Sequence, residues 1–475
     1  MMMASFIAFL VGFLLIGLSS ALKSRGTKGD YYLASRSVSP ALAGLSAVAT
    51  NNSGYMFIGV IGFTYVTGLA AVWLMVGWIL GDFLASLFIH RQLRLSTERT
   101  REVTFAGVLA RWQGGDMAHV RRLAAVITVL FLGAYAAAQL AAGGKALYAL
   151  FGWEKQAGAM LVAAMVALYC LAGGIRASIW TDAAQSLVMV AAMGLLFIAG
   201  VDGLGGPQAA WRQMDAVPGF LDWFPDDLLL PGVAGMGLFV LGWMFAGISV
   251  IGQPHVMIRF MALDDAGHMR QARIYYYGFF IVFYALATGV GMLSRIYLPD
   301  LGGLDPELAL PTIAAELLPP VLVGMILAGI FAATMSTADS LVLACSSAIT
   351  HDLAPRRLEK TWEIKSATLG VTMLALVIAL AETQSVFSLV ILAWSTLASA
   401  FGPLLFVLAR RQPVEERLAL AMMVVGASTA WLWRHFGLHE DLYEGLPGML
   451  AGLASYYLLR RAMPVKHPAP AQRPS

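Results

Sequence analysis

The sequence predicts an all-α integral membrane protein with about thirteen transmembrane helices. Three observations carry that expectation. Hydrophobic residues fill 59% of the 475 positions and charged residues only 12%, with a mean hydropathy of +0.74, outside the range of water-soluble domains. Apolar runs of roughly 20 residues, the length that crosses a hydrocarbon core, recur between short polar loops. Lysines and arginines gather in every second loop, the pattern of a chain threaded repeatedly through a bilayer.

The runs fall at residues 4–22, 39–66, 68–90, 121–150, 156–174, 177–202, 231–256, 272–298, 312–347, 362–383, 386–409, 415–434 and 444–462. The first has no basic residue before it, and Lys23, Arg25 and Lys28 follow it, so it reads as a retained helix with its N-terminus outside. The basic loops are 23–38, 91–122, the region of Arg176, 257–273, 349–365, 410–417 and 460–475. They leave Lys145, Lys155, Arg212, Arg295 and Arg434 for the outside or the membrane, which predicts a multi-pass protein of the cell's inner (plasma) membrane with a cytoplasmic C-terminus. The loop 203–230 is expected to form a small interfacial helix, and the tail 465–475 to be disordered.

Several functions are excluded. A net charge of +3, split among many loops, offers no nucleic-acid surface. Cys170 and Cys345 lie in apolar runs, which suggests neither a disulfide nor a thiolate metal site. No phosphate-binding loop, dinucleotide fingerprint or zinc-protease motif is present, so an enzyme is not expected.

Polar residues interrupt two spans. Residues 49–56 read ATNNSGYM, with Thr50, Asn51, Asn52, Ser53 and Gly54 consecutive at midspan. Residues 236–262 carry Gly242, Gly247, Gly252 and Pro254. If 39–66 and 231–256 each open a five-helix unit, the breaks match, which points to a secondary transporter built from inverted repeats with its site between broken helices. Small residues also serve close helix packing, the plainer reading of such clusters. The run 312–347 holds Ser336, Thr337, Asp339 and Ser340, with Ala333 one turn earlier; hydroxyls and carbonyls suit a small hard cation, although such hydroxyls also bond back to their own helix. Asp182 and Asp339 are costly at membrane depth and stand as site candidates beside a structural ion-pair reading. Asp82 and Lys145 are weaker signals, since Lys145 can snorkel to the outer surface.

These stretches resemble the sodium/solute symporter family, its sodium/proline symporter branch in particular. The resemblance is carried by LAGGIRASIWTDAAQ at 171–185, GQPHVMIRFMA at 252–262, MSTADSLVLACSSAITHDL at 335–353, AFGPLL at 400–405 and LYEGLPGML at 442–450. It implies a LeuT-like fold of two inverted five-helix repeats, 39–202 and 231–409, preceded by one helix (4–22) and followed by two (415–462), in one transporter domain spanning 1–464. Sodium as coupling ion would bind the carbonyls of Ala49, Asn52 and Ala333 and the hydroxyls of Ser336 and Thr337. A second ion position maps to Asp182, Ser336, Asp339 and Ser340. The solute would meet Asn51, Ser53, Gly54, Tyr135, Trp243, Gln253, Pro254 and Ser340. Asn51 stands where the branch carries an aspartate, and Trp243 lies farther from Pro254 than in the branch's pattern. The implied function is sodium-driven uptake of proline or a similar zwitterion by alternating access. The alternatives are proton coupling, another solute (a betaine, pantothenate or a small carboxylate) and a solute sensor of transporter fold.

Overall fold

The computed structural model describes residues 1–23, 25–300, 305–355, 358–381 and 385–462. Its principal helices are α1 (Met2–Ser20), α2 (Pro40–Gly54), α3 (Val60–Thr67), α4 (Val72–Thr100), α5 (Ala118–Phe151), α6 (Lys155–Gly203), α7 (Gly232–Ile248), α8 (Pro254–Met261), α9 (Met269–Tyr297), α10 (Pro320–Ser347), α11 (Thr361–Ala381), α12 (Val386–Ala409), α13 (Glu416–His435) and α14 (Gly445–Ala462). Helix is what an apolar chain in lipid must form, because every N–H and C=O then finds its partner within the segment. Pro40 and Pro320 open α2 and α10, where a missing N–H costs nothing. Among the described residues the β-type pairing is a single isolated bridge between Val38 and Leu263.

Nine stretches of the described residues are long and apolar enough to cross a membrane. Two of them, Pro40–Thr100 (61 residues) and Lys155–Gly203 (49 residues), are far longer than one crossing needs and are broken within. In the first, Arg94 near the end of α4 donates to the carbonyls of Leu263 and Asp264, beside Val38 at the entry to α2. In the second, α6 breaks at Gly174 (φ 57°, ψ −141°), a conformation that favours glycine, where a Cβ would also run into Tyr31. The expected run 312–347 is not one helix. Leu318 is extended, as a residue before proline prefers, and separates a short helix, Ala309–Leu317, from α10. The run expected at 68–90 continues as α4 to Thr100. A short helix, Pro207–Asp215, occupies the loop after α6 and buries Ala210 and Met214. The tail 465–475 lies outside the described residues.

The basic loops share one end of the molecule. Glu102 pairs with Arg111 (3.0 Å), Arg121 (3.3 Å) and His351 (2.7 Å), Lys28 donates to the Leu358 carbonyl, and Gln113 and Arg460 both reach Gln412. At the opposite end Lys145 pairs with Asp305 (2.6 Å) and with Glu307, Arg434 with Glu444 (2.7 Å), and Trp73 donates to the Trp223 carbonyl. Lys145 is thus buried in an ion pair rather than snorkelling.

Two backbones meet where α4 crosses α7: a Cβ on Gly81 would overlap the Met244 carbonyl, and one on Gly247 the Trp78 carbonyl. Gly81→Val should therefore lower the thermal unfolding midpoint in detergent, by the roughly 1–3 kcal/mol typical of overpacking. Gly278→Ala, where a Cβ meets open space, should leave it in place. Equal midpoints for both variants would contradict this packing.

Candidate ion and solute site

The first break lies at Ser53, whose backbone (φ 24°, ψ 179°) leaves the helix. A non-glycine residue in that region stores roughly 1–3 kcal/mol of strain, so neighbours must hold it there. Tyr135 and Gln139, one turn apart on α5, do so. The Tyr135 hydroxyl donates to Ser53 Oγ at 3.1 Å, and Gln139 Oε1 accepts the Gly54 N–H at 2.8 Å. The second break lies at Gln253, extended before Pro254 opens α8. Its side-chain amide donates to the carbonyls of Ser249 (3.1 Å) and Trp394 (2.8 Å).

Between α2 and α10, oxygen atoms converge. Ser336 Oγ lies 3.2 Å from the Ala49 carbonyl and 3.1 Å from that of Ala333, and Thr337 Oγ1 donates to the Thr50 carbonyl at 2.8 Å. Four of the five oxygens expected for sodium are brought together, and the Thr50 carbonyl joins them. Asn52 is buried beside them, with neither polar atom of its side chain paired. An all-oxygen, largely neutral donor set suits a monovalent hard cation. Among the described residues there is no His, Cys, Asp and Glu cluster for a transition metal.

Three of the four residues of the second expected ion position, Asp182, Asp339 and Ser340, also converge, but around a resident cation, whereas the Ser336 hydroxyl turns to the Ala49 and Ala333 carbonyls. Arg259, fully buried in α8, donates from Nη2 to Ser178 Oγ (2.7 Å), Asp182 Oδ2 (3.3 Å) and Ser340 Oγ. Its Nη1 reaches the His255 carbonyl (2.8 Å) and its Nε reaches Ser46 Oγ (3.3 Å). Asp339 accepts from Ser178 (3.0 Å) and Ser340 (2.9 Å) within the same cluster. Sequence reading had placed Arg259 in a basic loop. The signal against that was its position in HVMIRFM, a run otherwise apolar on both sides.

On the solute side the Tyr135 ring meets His255 at 5.5 Å, His255 faces Trp394 at 6.2 Å, and Trp394, Trp78 and Tyr55 follow in contact. Unpaired buried atoms cluster along this path: Tyr55 Oη, Gln139 Nε2, Gln253 Oε1 and both nitrogens of His255. Tyr55, Trp78, Gln139, His255 and Trp394 were missed from the sequence, where single aromatics or amides in apolar runs look like packing. Two expected solute contacts lie elsewhere. Asn51 turns away and donates to the Tyr276 hydroxyl at 2.5 Å. Trp243 packs on Phe63 and Phe239 in the wall of a cavity of about 250 Å³ at the end opposite the basic loops. Phe387 separates that cavity from the break, stacking on Phe63 at 5.5 Å and on Tyr55 at 5.3 Å.

Residues 31–426 match the Sodium:solute symporter family. The chain is 30% identical over 451 residues to the high-affinity proline transporter PutP of Bacillus subtilis strain 168, covering 92% of this chain and 93% of that one. It is also 30% identical to the sodium/proline symporter of Escherichia coli K12, covering 95% and 91%. Among solved structures, a Na+-coupled sialic acid symporter in a substrate-bound outward-open state shares the fold at a TM-score of 0.82, with 19% identity and 98% coverage of both chains. Mhp1, a nucleobase-cation-symport-1 family transporter, does so at 0.58, with 12% identity and coverage of 91% and 95%. These likenesses establish the LeuT-like fold. The match along most of its length decides the assignment: the chain belongs to the sodium:solute symporter family, as a membrane carrier that couples sodium to a small organic solute and not as an enzyme.

Proposed function

We propose that the protein imports proline, or a zwitterion of similar size, with one sodium ion per solute. The observation that carries this is the meeting of the Ser336 and Thr337 hydroxyls with the carbonyls of Ala49, Thr50 and Ala333 between α2 and α10. The proline assignment is supported by the names of the curated relatives. The gathering of the basic loops at one end supports a cytoplasmic C-terminus and an outside N-terminus in the plasma membrane. The repeats proposed are 39–202 and 231–409, each opening on a broken helix, with 4–22 before and 415–462 after, making about thirteen crossings.

In this reading the two hydroxyls turn their lone pairs to the ion, with the Asn52 carbonyl as a further ligand, and the ion ties α2 to α10. That contact exists only while the two helices lie together, so the ion favours the state in which the adjoining pocket is formed. Coupling is this difference in affinity between states. The solute lies between Ser53, Gly54, Tyr135, Gln253 and Pro254, its apolar ring against Tyr135 and Trp394. Its charged ends meet the polar atoms that the protein leaves unpaired. Phe387 is the outer barrier, and the cavity beside Trp243 is the approach. The guanidinium of Arg259 takes the place of a second sodium among Asp182, Asp339 and Ser340.

Ser336→Ala and Thr337→Ala should each remove one oxygen ligand and raise the sodium concentration for half-maximal uptake of labelled proline into liposomes about tenfold, or about 1.4 kcal/mol. Unchanged sodium dependence in both would show that the ion binds elsewhere. In purified protein with sodium, proline at 100 times its Kd should raise stability by about 2.7 kcal/mol. Betaine, pantothenate and small carboxylates should not, and stabilisation by one of these instead of proline would reassign the solute.

A further inference from the structure

One helix carries a polar file that the ion and solute sites do not use. Asp82, Ser86, His90 and Arg94 recur every fourth residue along α4, on one face, and all four are buried. The file begins beside the first broken helix. Asp82 accepts the hydroxyls of Tyr276 (2.7 Å) and Tyr277 (2.9 Å), one on each oxygen, and Tyr276 Oη in turn accepts Asn51 Nδ2. It ends at the basic face, where Arg94 holds the carbonyls of Leu263 and Asp264. Between them His90 stacks on Phe260, ring centroids 4.0 Å apart, with neither ring nitrogen paired.

A buried carboxylate at membrane depth is costly unless it is paired or takes up a proton. Among the described residues no cation forms an ion pair with Asp82. The titratable or charged groups around it are Tyr276, Tyr277 and Arg273 on α9, with His90 and Arg94 on its own helix; Arg273 donates to the Ser86 carbonyl at 2.6 Å. The other neighbours of α4 bring Phe260 from α8, the Met244 backbone from α7 and Trp394 from α12, none of which titrates, and Tyr55, which packs on Trp78; at the basic end of the helix lie the His268–Asp264 pair and Arg111, itself paired with Glu102. On α8, His255 and Arg259 turn to the solute path and the Asp182 cluster. Asn51 is uncharged.

We propose that Asp82 is a proton-binding site, supplied from the basic face past His90 and Ser86, and that its proton is reported to the hinge of the first broken helix through Tyr276 and Asn51. With Asp82 ionised, the chain of donors runs from the Asn51 amide to the Tyr276 hydroxyl to the carboxylate. A proton on Asp82 makes it a donor, so the Tyr276 hydroxyl turns to Asn51, whose Oδ1 is buried and unpaired and accepts after rotation of the amide. One proton thus reverses the chain and removes a negative charge from the helix that packs beside the hinge. Sodium binds less well to the protonated form, and the sodium requirement rises as pH falls, by up to tenfold per pH unit below the Asp82 pKa.

This rests on the sodium reading above for one of its two readouts. In full-length protein, the sodium concentration giving half-maximal thermal stabilisation is measured from about pH 5.5 to 8.5, the range a histidine-lined path serves, with choline replacing sodium. The wild type should show the rise at low pH; Asp82→Asn and Tyr276→Phe should reduce it to less than about twofold. Infrared difference spectra between acid and alkaline pH should show a protonated-carboxyl band in the wild type and in Tyr276→Phe that is lost in Asp82→Asn. A wild-type pH slope retained in Asp82→Asn, or identical infrared spectra, would overturn the proposal. Absence of any sodium stabilisation would count against the sodium site instead, and the infrared comparison still decides the proton site. If Asp82→Asn does not fold, Tyr276→Phe decides by itself: loss of the slope with the band kept supports the relay, and a kept slope overturns it.

Discussion

The ion pair of Arg259 with Asp182 is the constraint around which the rest is arranged. Taking both groups out of water costs several kcal/mol per ion, and only close partners offset it. Here the partners come from α2 (Ser46), the second half of α6 (Ser178, Asp182), the α8 backbone (His255) and α10 (Ser340). One guanidinium therefore fastens the basic-end halves of both broken helices to the two helices that face them. Loss of either charge strands the other, at a cost of about 3–5 kcal/mol. Any opening toward the basic end must separate these partners or carry them together, whereas α3 and α7, on the far side of the breaks, are outside the clamp.

The proposed sodium site is a second clamp on two of these helices, α2 and α10, one turn before Ser340 in α10. It differs in kind. Its donors are two hydroxyls and backbone carbonyls, so it carries little charge of its own and depends on an added ion to hold α2 against α10 firmly. A permanent clamp beside a conditional one suits a carrier, because the first fixes the frame and the second makes the state of the pocket depend on the ion. The breaks supply the remainder: where the helix stops, backbone and side-chain polar groups are released at midspan without exposure to lipid.

Much of this was legible in the sequence for physical reasons. TNNSG and the Gly/Pro run at 242–254 stand out because polar or helix-breaking residues are penalised in lipid, and both mark real breaks. Asp182, Asp339 and the hydroxyls of α10 were singled out by the same logic, and the fold buries them together. Direction was not legible. Asn51 and Ser53, two apart and so on opposite sides of a helix, meet Tyr276 and Tyr135, and only the packed fold decides which neighbour each side finds. Arg259 was misread because an arginine close to a basic loop is usually solvated, and only the fold reveals Asp182 paired with it. The run 312–347 was read as one span because Pro319 and Pro320 were outweighed by apolar length. Tyr55, Trp78 and Trp394 carry no local mark that would set their contact with Tyr135 and His255 apart from ordinary core packing.

In the proposed mechanism one mobile sodium and one fixed guanidinium share the two cation positions. Its most direct test is the flux reversal of proline in liposomes, with the sodium gradient varied against a fixed proline gradient. One sodium per proline predicts that net flux vanishes when the two gradients, corrected for the membrane potential carried by a single charge, are equal and opposite. Reversal at the value for two sodium ions, or flux that ignores the sodium gradient, would contradict it.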